Sequence, residues 1–340
     1  MARRKRKTLP KDWASLCESS SVEELKTLLE DGYELYAYND RFQKLTAWMT
    51  PCTPLEVVRW LIEERGADIQ HQGEFAATAL SEALETENEE RIRALIDLGA
   101  DPTRPKDLAM CARFKRVKAA RILLESGAHP DPDMSDFNRP LSEALHRTPD
   151  FAQSLELVEV FLSYGAKIRR AQKDYLLEAA HDFEFRRQSL SAERIAAQEP
   201  ALLRLYEIFD VEPVPRRIMH DGASDIVLVD GDIQTQYDAL WEALIPPSGE
   251  AATEQGEAIR ITGQIHDEIF RNAGGNWSRM HRNMLREYAR IVSSGNPLDE
   301  DDLERVDTLC RALPDDDEAI WPLSELAVEW VRRNPTPIAR

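Results

Sequence analysis

The chain has 340 residues, 42% of them apolar, a formal net charge of -19 and four cysteines. That apolar share supplies real cores and excludes wholesale disorder, and no apolar run approaches the ~18 residues of a membrane-spanning helix. The first eleven residues carry +6 and the remaining 329 carry -25, a balance that repels nucleic-acid phosphates and attracts basic proteins. No membrane partner is expected, and nucleic acid is disfavoured as one.

Residues 1–10 begin Met-Ala-Arg-Arg-Lys-Arg-Lys and read as a disordered basic tail. No apolar segment follows them, so they do not read as a secretory signal. Cys17, Cys52, Cys111 and Cys310 form no C-x-x-C pair. A disulfide framework and a zinc site are therefore disfavoured, and a reducing cytoplasm is the expected compartment.

From residue 11 a period emerges. Leu28-Leu29, Leu61-Ile62, Leu95-Ile96, Leu123-Leu124 and Phe161-Leu162 each lead through a short spacer to Gly32, Gly66, Gly99, Gly127 and Gly165, with spacings of 34, 33, 28 and 38. Each glycine reads as a left-handed helix stop rather than a phosphate loop. Ser21 with Glu24 three residues on forms a capping box. Thr78-Ala79-Leu80-Ser81-Glu82-Ala83-Leu84 opens a preceding helix, and Pro140-Leu141-Ser142-Glu143-Ala144-Leu145 and Tyr175-Leu176-Leu177-Glu178-Ala179-Ala180 keep its leucine and alanine. On these residues the stretch 11–211 resembles the ankyrin repeat family. The count is five units, or six if residues 175–211 form a last irregular one, with residues 184–199 between its helices. The fourth unit is short, and Arg147-Thr148-Pro149-Asp150 reads as an insertion in the fifth.

Residues 212–234 read as a linker. Glu212-Pro213-Val214-Pro215 is a rigid break, and Asp225-Ile226-Val227-Leu228-Val229 reads as a strand that pairs with residues 217–220 in a short β-hairpin. Residues 235–335 read as a helical bundle, with helices expected at 237–245, 251–272, 278–293, 299–313 and 316–332. The fold class is thus mainly all-α: an ankyrin-like solenoid, then a small bundle. The bundle resembles uncharacterised bacterial helical domains only in its outline.

Aligned on their alanines, the repeats place Glu82, Glu143 and Glu178 in one column and Glu85, His146 and His181 in another. The ankyrin resemblance implies that these positions face a concave groove where protein partners bind. Two histidines one helix spacing apart lie too far apart to share an ion whose bonds are ~2 Å, so no metal is expected. Gly274-Gly275 lacks a following Lys-Ser/Thr, so no nucleotide loop is expected either. On the helix 251–272, Glu257/Arg260 and Asp267/Arg271 read as surface ion pairs. His266-Asp267-Glu268 point in different directions around the helix and do not converge by themselves. Residues 299–318 hold ten acids and two arginines, either a charged helix pair or a mimic of nucleic acid.

The reading is a non-catalytic protein-binding scaffold without cofactor, whose acidic groove engages a basic partner. In a bacterial cytoplasm that suits an immunity or antitoxin protein. The alternatives are an enzyme whose bundle carries Glu257, Asp267 and Glu268, with the repeats recruiting substrate, or a host-directed ankyrin effector or adaptor.

Overall fold

The computed structural model describes residues 4–39, 42–146 and 150–340, so Arg147, Thr148 and Pro149 of the expected insertion lie outside the described residues. The chain divides into two compact units, Met1–Asp182 with Ala192–Val214, and Phe183–Ser191 with Pro215–Arg340. Sixteen α-helices and two short strands are present among the described residues. No helix among them is long and apolar enough to cross a membrane.

The first unit opens with β1 (Arg6–Thr8), α1 (Trp13–Ser19), α2 (Val22–Gly32) and β2 (Tyr33–Tyr38). Part of the stretch expected to be a disordered tail is therefore ordered. β1 pairs in parallel with β2, the Leu9 N–H donates to the Tyr38 carbonyl, and Leu9 is buried. An apolar anchor and a free strand edge outweigh the repulsion among the basic residues. Gly32 also departs from the expected stop. It is the last residue of α2, and the chain continues directly into the extended Tyr33.

Among the described residues, the second repeat has no first helix. A single turn closes with the Thr50 N–H on the Thr46 carbonyl, and Pro51 and Pro54, which lack an N–H, prevent its extension. The second helix, α3 (Leu55–Glu63), forms as expected. Three full pairs follow: α4 (Ala79–Thr86) with α5 (Glu89–Asp97), α6 (Pro105–Arg113) with α7 (Val117–Glu125), and α8 (Pro140–Leu145) with α9 (Phe151–Ser163). First helices pack on first helices and second on second, α4 to α6 to α8 and α5 to α7 to α9, which is the stacking of an ankyrin-like solenoid.

The expected stop closes these pairs. Gly99, Gly127 and Gly165 have φ of 95°, 98° and 95°, a region from which a Cβ is largely barred. The alanine after each one returns its N–H to a buried apolar residue of the helix: Ala100 to Leu95 at 2.9 Å, Ala128 to Leu123 at 2.9 Å and Ala166 to Phe161 at 3.0 Å. This satisfies helix-end carbonyls and buries an alanine in the same move. Two longer helices follow, α10 (Arg170–Arg186) and α11 (Ala192–Phe209), with α11 packed on α9. Most of residues 184–199 are thus helix, not connection, and α11 carries Pro200 inside it. Asp210, at φ 49°, takes the place of the missing glycine.

The second unit holds α12 (Ile233–Leu244), α13 (Glu254–Asn272), α14 (Arg279–Val292), α15 (Glu300–Ala312) and α16 (Ile320–Arg333). Helix α13 is central: Ile259, Ile261 and Ile265 are fully buried and share a core with Tyr288 and Trp330. The expected hairpin is absent. Residues 215–231 form no strand because their hydrogen bonds go to the helices instead: His220 N–H to the Ala243 carbonyl at 2.8 Å and Ile226 N–H to the Pro335 carbonyl at 2.7 Å. The Arg217 guanidinium donates to the carbonyls of Glu242, Trp241, Ile245 and Phe185. The alternation of buried Ile226 with exposed Val227 survives, with a helical bundle in the role of the partner strand. The Glu257–Arg260 pair, expected at the surface, is buried.

Candidate partner-binding groove

The first helices can stack closely because their columns carry small residues; Ala83 and Ala144 are fully buried. Their outward residues, with the loop before α4, enclose a cavity of about 500 Å³. Glu82, Glu85, Asp107, Met110, Arg113 and Glu143 line it. Thr78 caps α4, accepting from the Ser81 N–H, and so fixes the direction of Glu82 and Glu85. Arg104 ties the loop to that cap, donating to Thr78 Oγ1 at 2.9 Å and to the Ala76 carbonyl at 3.1 Å.

The loop is strained. Phe75 and Ala76 have φ of 58° and 61°, uncommon for residues with a Cβ. Phe75 is 78% exposed at the cavity rim, and its ring centroid lies 5.3 Å from that of Phe42, itself 71% exposed. Strain of this kind costs about 1–3 kcal/mol per residue and clusters at binding sites.

Arg104, Lys106 and Arg113 also line the cavity, and its inner carboxylates fall into two sets. Glu143 is buried and takes both a 3.0 Å hydrogen bond from Arg113 Nε and a second from Arg113 Nη2. Its charge is already answered, and the bond raises the pKa of Arg113. The second set is answered only weakly. Glu82 and Glu85 form no ion pair among the described residues, and burial, reinforced by the charge of Glu85, raises the Glu82 pKa to about 7. Asp107 is only 3% exposed, and burial raises its pKa to about 6 against the opposing pull of Arg104, 3.6 Å away. Its Oδ2 accepts no hydrogen bond from the described residues.

Of the six residues singled out by the sequence, the cavity gathers Glu82, Glu85 and Glu143. His146, Glu178 and His181 do not line it. His146 lies past the end of α8, where ψ has turned to 142°, so an equal offset from the alanine no longer means an equal direction. Its ring packs edge-on against Phe137 at 5.0 Å and Tyr175 at 5.4 Å, and its Nδ1 is buried without a hydrogen-bond partner among the described residues. Glu178 and His181 are exposed on α10. Sequence reasoning missed Asp107, Met110, Arg113 and the Phe42–Phe75 rim. Running the column through Leu80, Leu108 and Leu141 would have found Met110 and Arg113, at spacings of 28 and 33.

The bundle carboxylates are engaged separately. Glu257 accepts from Arg260 Nε at 2.7 Å and from the Ala251 N–H at 3.1 Å. Glu268 is buried and accepts from Asn272 and the Asn276 N–H. Asp267 is exposed beside Arg271 at 3.5 Å. The acids of residues 299–318 are partly paired, Asp299 with Arg333 and Asp307 with Arg311. Burial raises the thiol pKa of Cys17 and Cys310 to about 12, far from a reactive thiolate. No three metal-ligating side chains come together among the described residues.

No protein-family model and no curated protein matches the chain. Among solved structures, the crystal structure of the human ASB11 ankyrin repeat domain is similar over 61% of this chain and 100% of that one, at 16% identity and a TM-score of 0.37.

Proposed function

We propose that this chain is a non-catalytic protein-binding scaffold whose first unit seats a basic side chain of a partner in the groove of α4, α6 and α8. The observation that supports it is the convergence in one cavity of Glu82 and Glu85, which form no ion pair among the described residues, with Asp107, whose Oδ2 has only Arg104 at 3.6 Å and no hydrogen bond. Burying Asp107 and half-burying Glu82 without a close cation costs stability, and a lysine or arginine from a partner would relieve that cost. Phe75 and Phe42 offer the apolar anchor that interface centres favour. Glu178 and His181, exposed on α10, extend the contact surface, and His146 shapes it through Phe137 and Tyr175. A toxin whose basic cleft is plugged by this surface fits the description, and so does the host target of an ankyrin effector.

The test is capture of partners by the full chain at low and moderate salt, with Glu82→Arg/Glu85→Arg as the comparison. One partner held by the native chain, weakened by salt and lost with the double variant is the expected result. If that partner is toxic when expressed alone, the immunity role follows. A partner captured equally by both forms removes the groove from the account.

A further inference from the structure

The second unit has a cavity of about 310 Å³ that the groove reading does not use. Its walls are Tyr237 and Trp241 of α12 and Trp321 of α16, with Gly263 of α13 at the base. The Tyr237 ring lies 6.5 Å from Trp241 and 6.1 Å from Trp321 between centroids. Tyr237 is held rigidly, its hydroxyl bonded to the Ile259 carbonyl at 3.0 Å and Thr262 Oγ1 at 2.9 Å. Gly263 is needed for this arrangement, since a Cβ there would meet Trp241 Cζ3 at 2.0 Å. Two carboxylates, Asp238 and Asp267, stand exposed at the mouth. Among the described residues, no lysine or arginine lines the cavity, and His266 is the one lining side chain able to carry a positive charge. The exposed Arg271, 3.5 Å from Asp267, forms a weak surface pair along the helix.

We propose that this cavity binds a trimethylammonium head group. Aromatic faces attract a cation through their quadrupole, and the attraction grows as the cation sheds water. A methylated ammonium loses little hydration on entering and fills an apolar space, where a bare ammonium would forfeit its hydrogen bonds. Asp238 and Asp267 add a field of matching sign without having to touch the methyl groups. The head group is common to free choline and to a trimethylated lysine side chain.

Calorimetric titration of the full chain with choline and with its uncharged carbon isostere, dimethylbutanol, separates charge from shape. Choline is expected to bind about tenfold more tightly, the cation–π and carboxylate contributions together. Asp238→Asn/Asp267→Asn, both at exposed positions, should weaken choline several-fold and leave the alcohol unchanged. Gly263→Ala, which displaces the indole, and Trp321→Leu should each abolish choline binding in protein whose circular dichroism is native. A trimethyllysine peptide binding more tightly than choline would identify a protein side chain as the source; the reverse order would identify a free metabolite. Equal binding of choline and its isostere, or failure of both choline and the peptide to saturate, overturns the proposal.

Discussion

Asp107→Asn should stabilise the protein while weakening its grip on a basic partner. The carboxyl sits at the third position of α6, where the helix N-terminus favours a negative charge, yet burial still lifts its pKa from 3.8 to about 6. In acid below the unfolded pKa both states hold the proton, and no penalty exists. As pH rises from there towards the folded pKa, the unfolded chain releases its proton and the folded chain does not. Stability therefore falls across that window and stays lowered above it. A carboxyl raised this far costs the fold about 3 kcal/mol at most once both states are ionised, and roughly 1 kcal/mol of that is already present near pH 4.5. Asparagine removes the charge but leaves amide donors to satisfy, at a cost of about 1 kcal/mol. The expected net gain is about 1–2 kcal/mol near pH 8, shrinking to nothing near pH 4.5. Urea unfolding of both forms at the two pH values, followed by far-ultraviolet circular dichroism, measures it. A variant less stable than wild type near pH 8, or one whose effect does not change with pH, would refute the reasoning. Coupled loss of partner binding would mark the strain as functional.

Two further predictions concern arginines that bond mainly to backbone carbonyls, Arg217 also pairing with the Glu242 carboxylate at 3.0 Å. Arg91 is 4% exposed and donates to the carbonyls of Thr53 at 2.6 Å and Thr50 at 2.9 Å, pinning the helix-free stretch of the second repeat. Arg91→Met preserves volume but strands those carbonyls, and should lower the stability of the first unit by about 3 kcal/mol in denaturant unfolding; a loss under ~1 kcal/mol would show that water replaces the guanidinium. Arg217 donates to four carbonyls and lies 3.9 Å from the centroid of Phe185. Arg217→Lys should therefore behave nearly as badly as Arg217→Ala, because an ammonium cannot reproduce the planar fork. Faster hydrogen exchange at Ile226 and His220 in both variants is the readout, and full protection in the lysine form would count against this account.

Much of the fold was legible because its signals are local. Gly99-Ala100, Gly127-Ala128 and Gly165-Ala166 announce a helix stop through backbone sterics alone, and Ser21 with Glu24 marks a helix start by a capping box that acts within one turn. The misreadings share the opposite property. Arg6–Thr8 became a strand because β2 offered an edge about 27 residues on, a partner no local pattern reveals. The stretch 225–229 has the alternation of a strand, but Ile226 spends it on the Pro335 carbonyl more than a hundred residues away. The Glu257–Arg260 spacing looked the same as any surface pair, and only the packing of α13 at the centre of the bundle buried it.

The groove shows the same division, with a functional consequence. Reading charge by column suggested a surface acidic along its length, in keeping with the net charge of the chain. Packing redistributes that charge. Arg113, arriving in the column from the shortened fourth repeat, neutralises Glu143, and Lys44 pairs with Glu74 at the rim. The carboxyls answered least lie at one end, Glu82 and Glu85 on α4 without an ion pair among the described residues and Asp107 on α6 with only Arg104 at 3.6 Å. A diffuse acidic face would steer any basic protein and hold none in a fixed register. A short cluster beside an aromatic rim selects one cation at one place. Because burial keeps Glu82 near half-protonated at neutral pH, seating that cation should expel a proton. Binding heats measured in buffers of different ionisation enthalpy would then differ, and they would coincide if the partner were held by the long-range field of the protein alone.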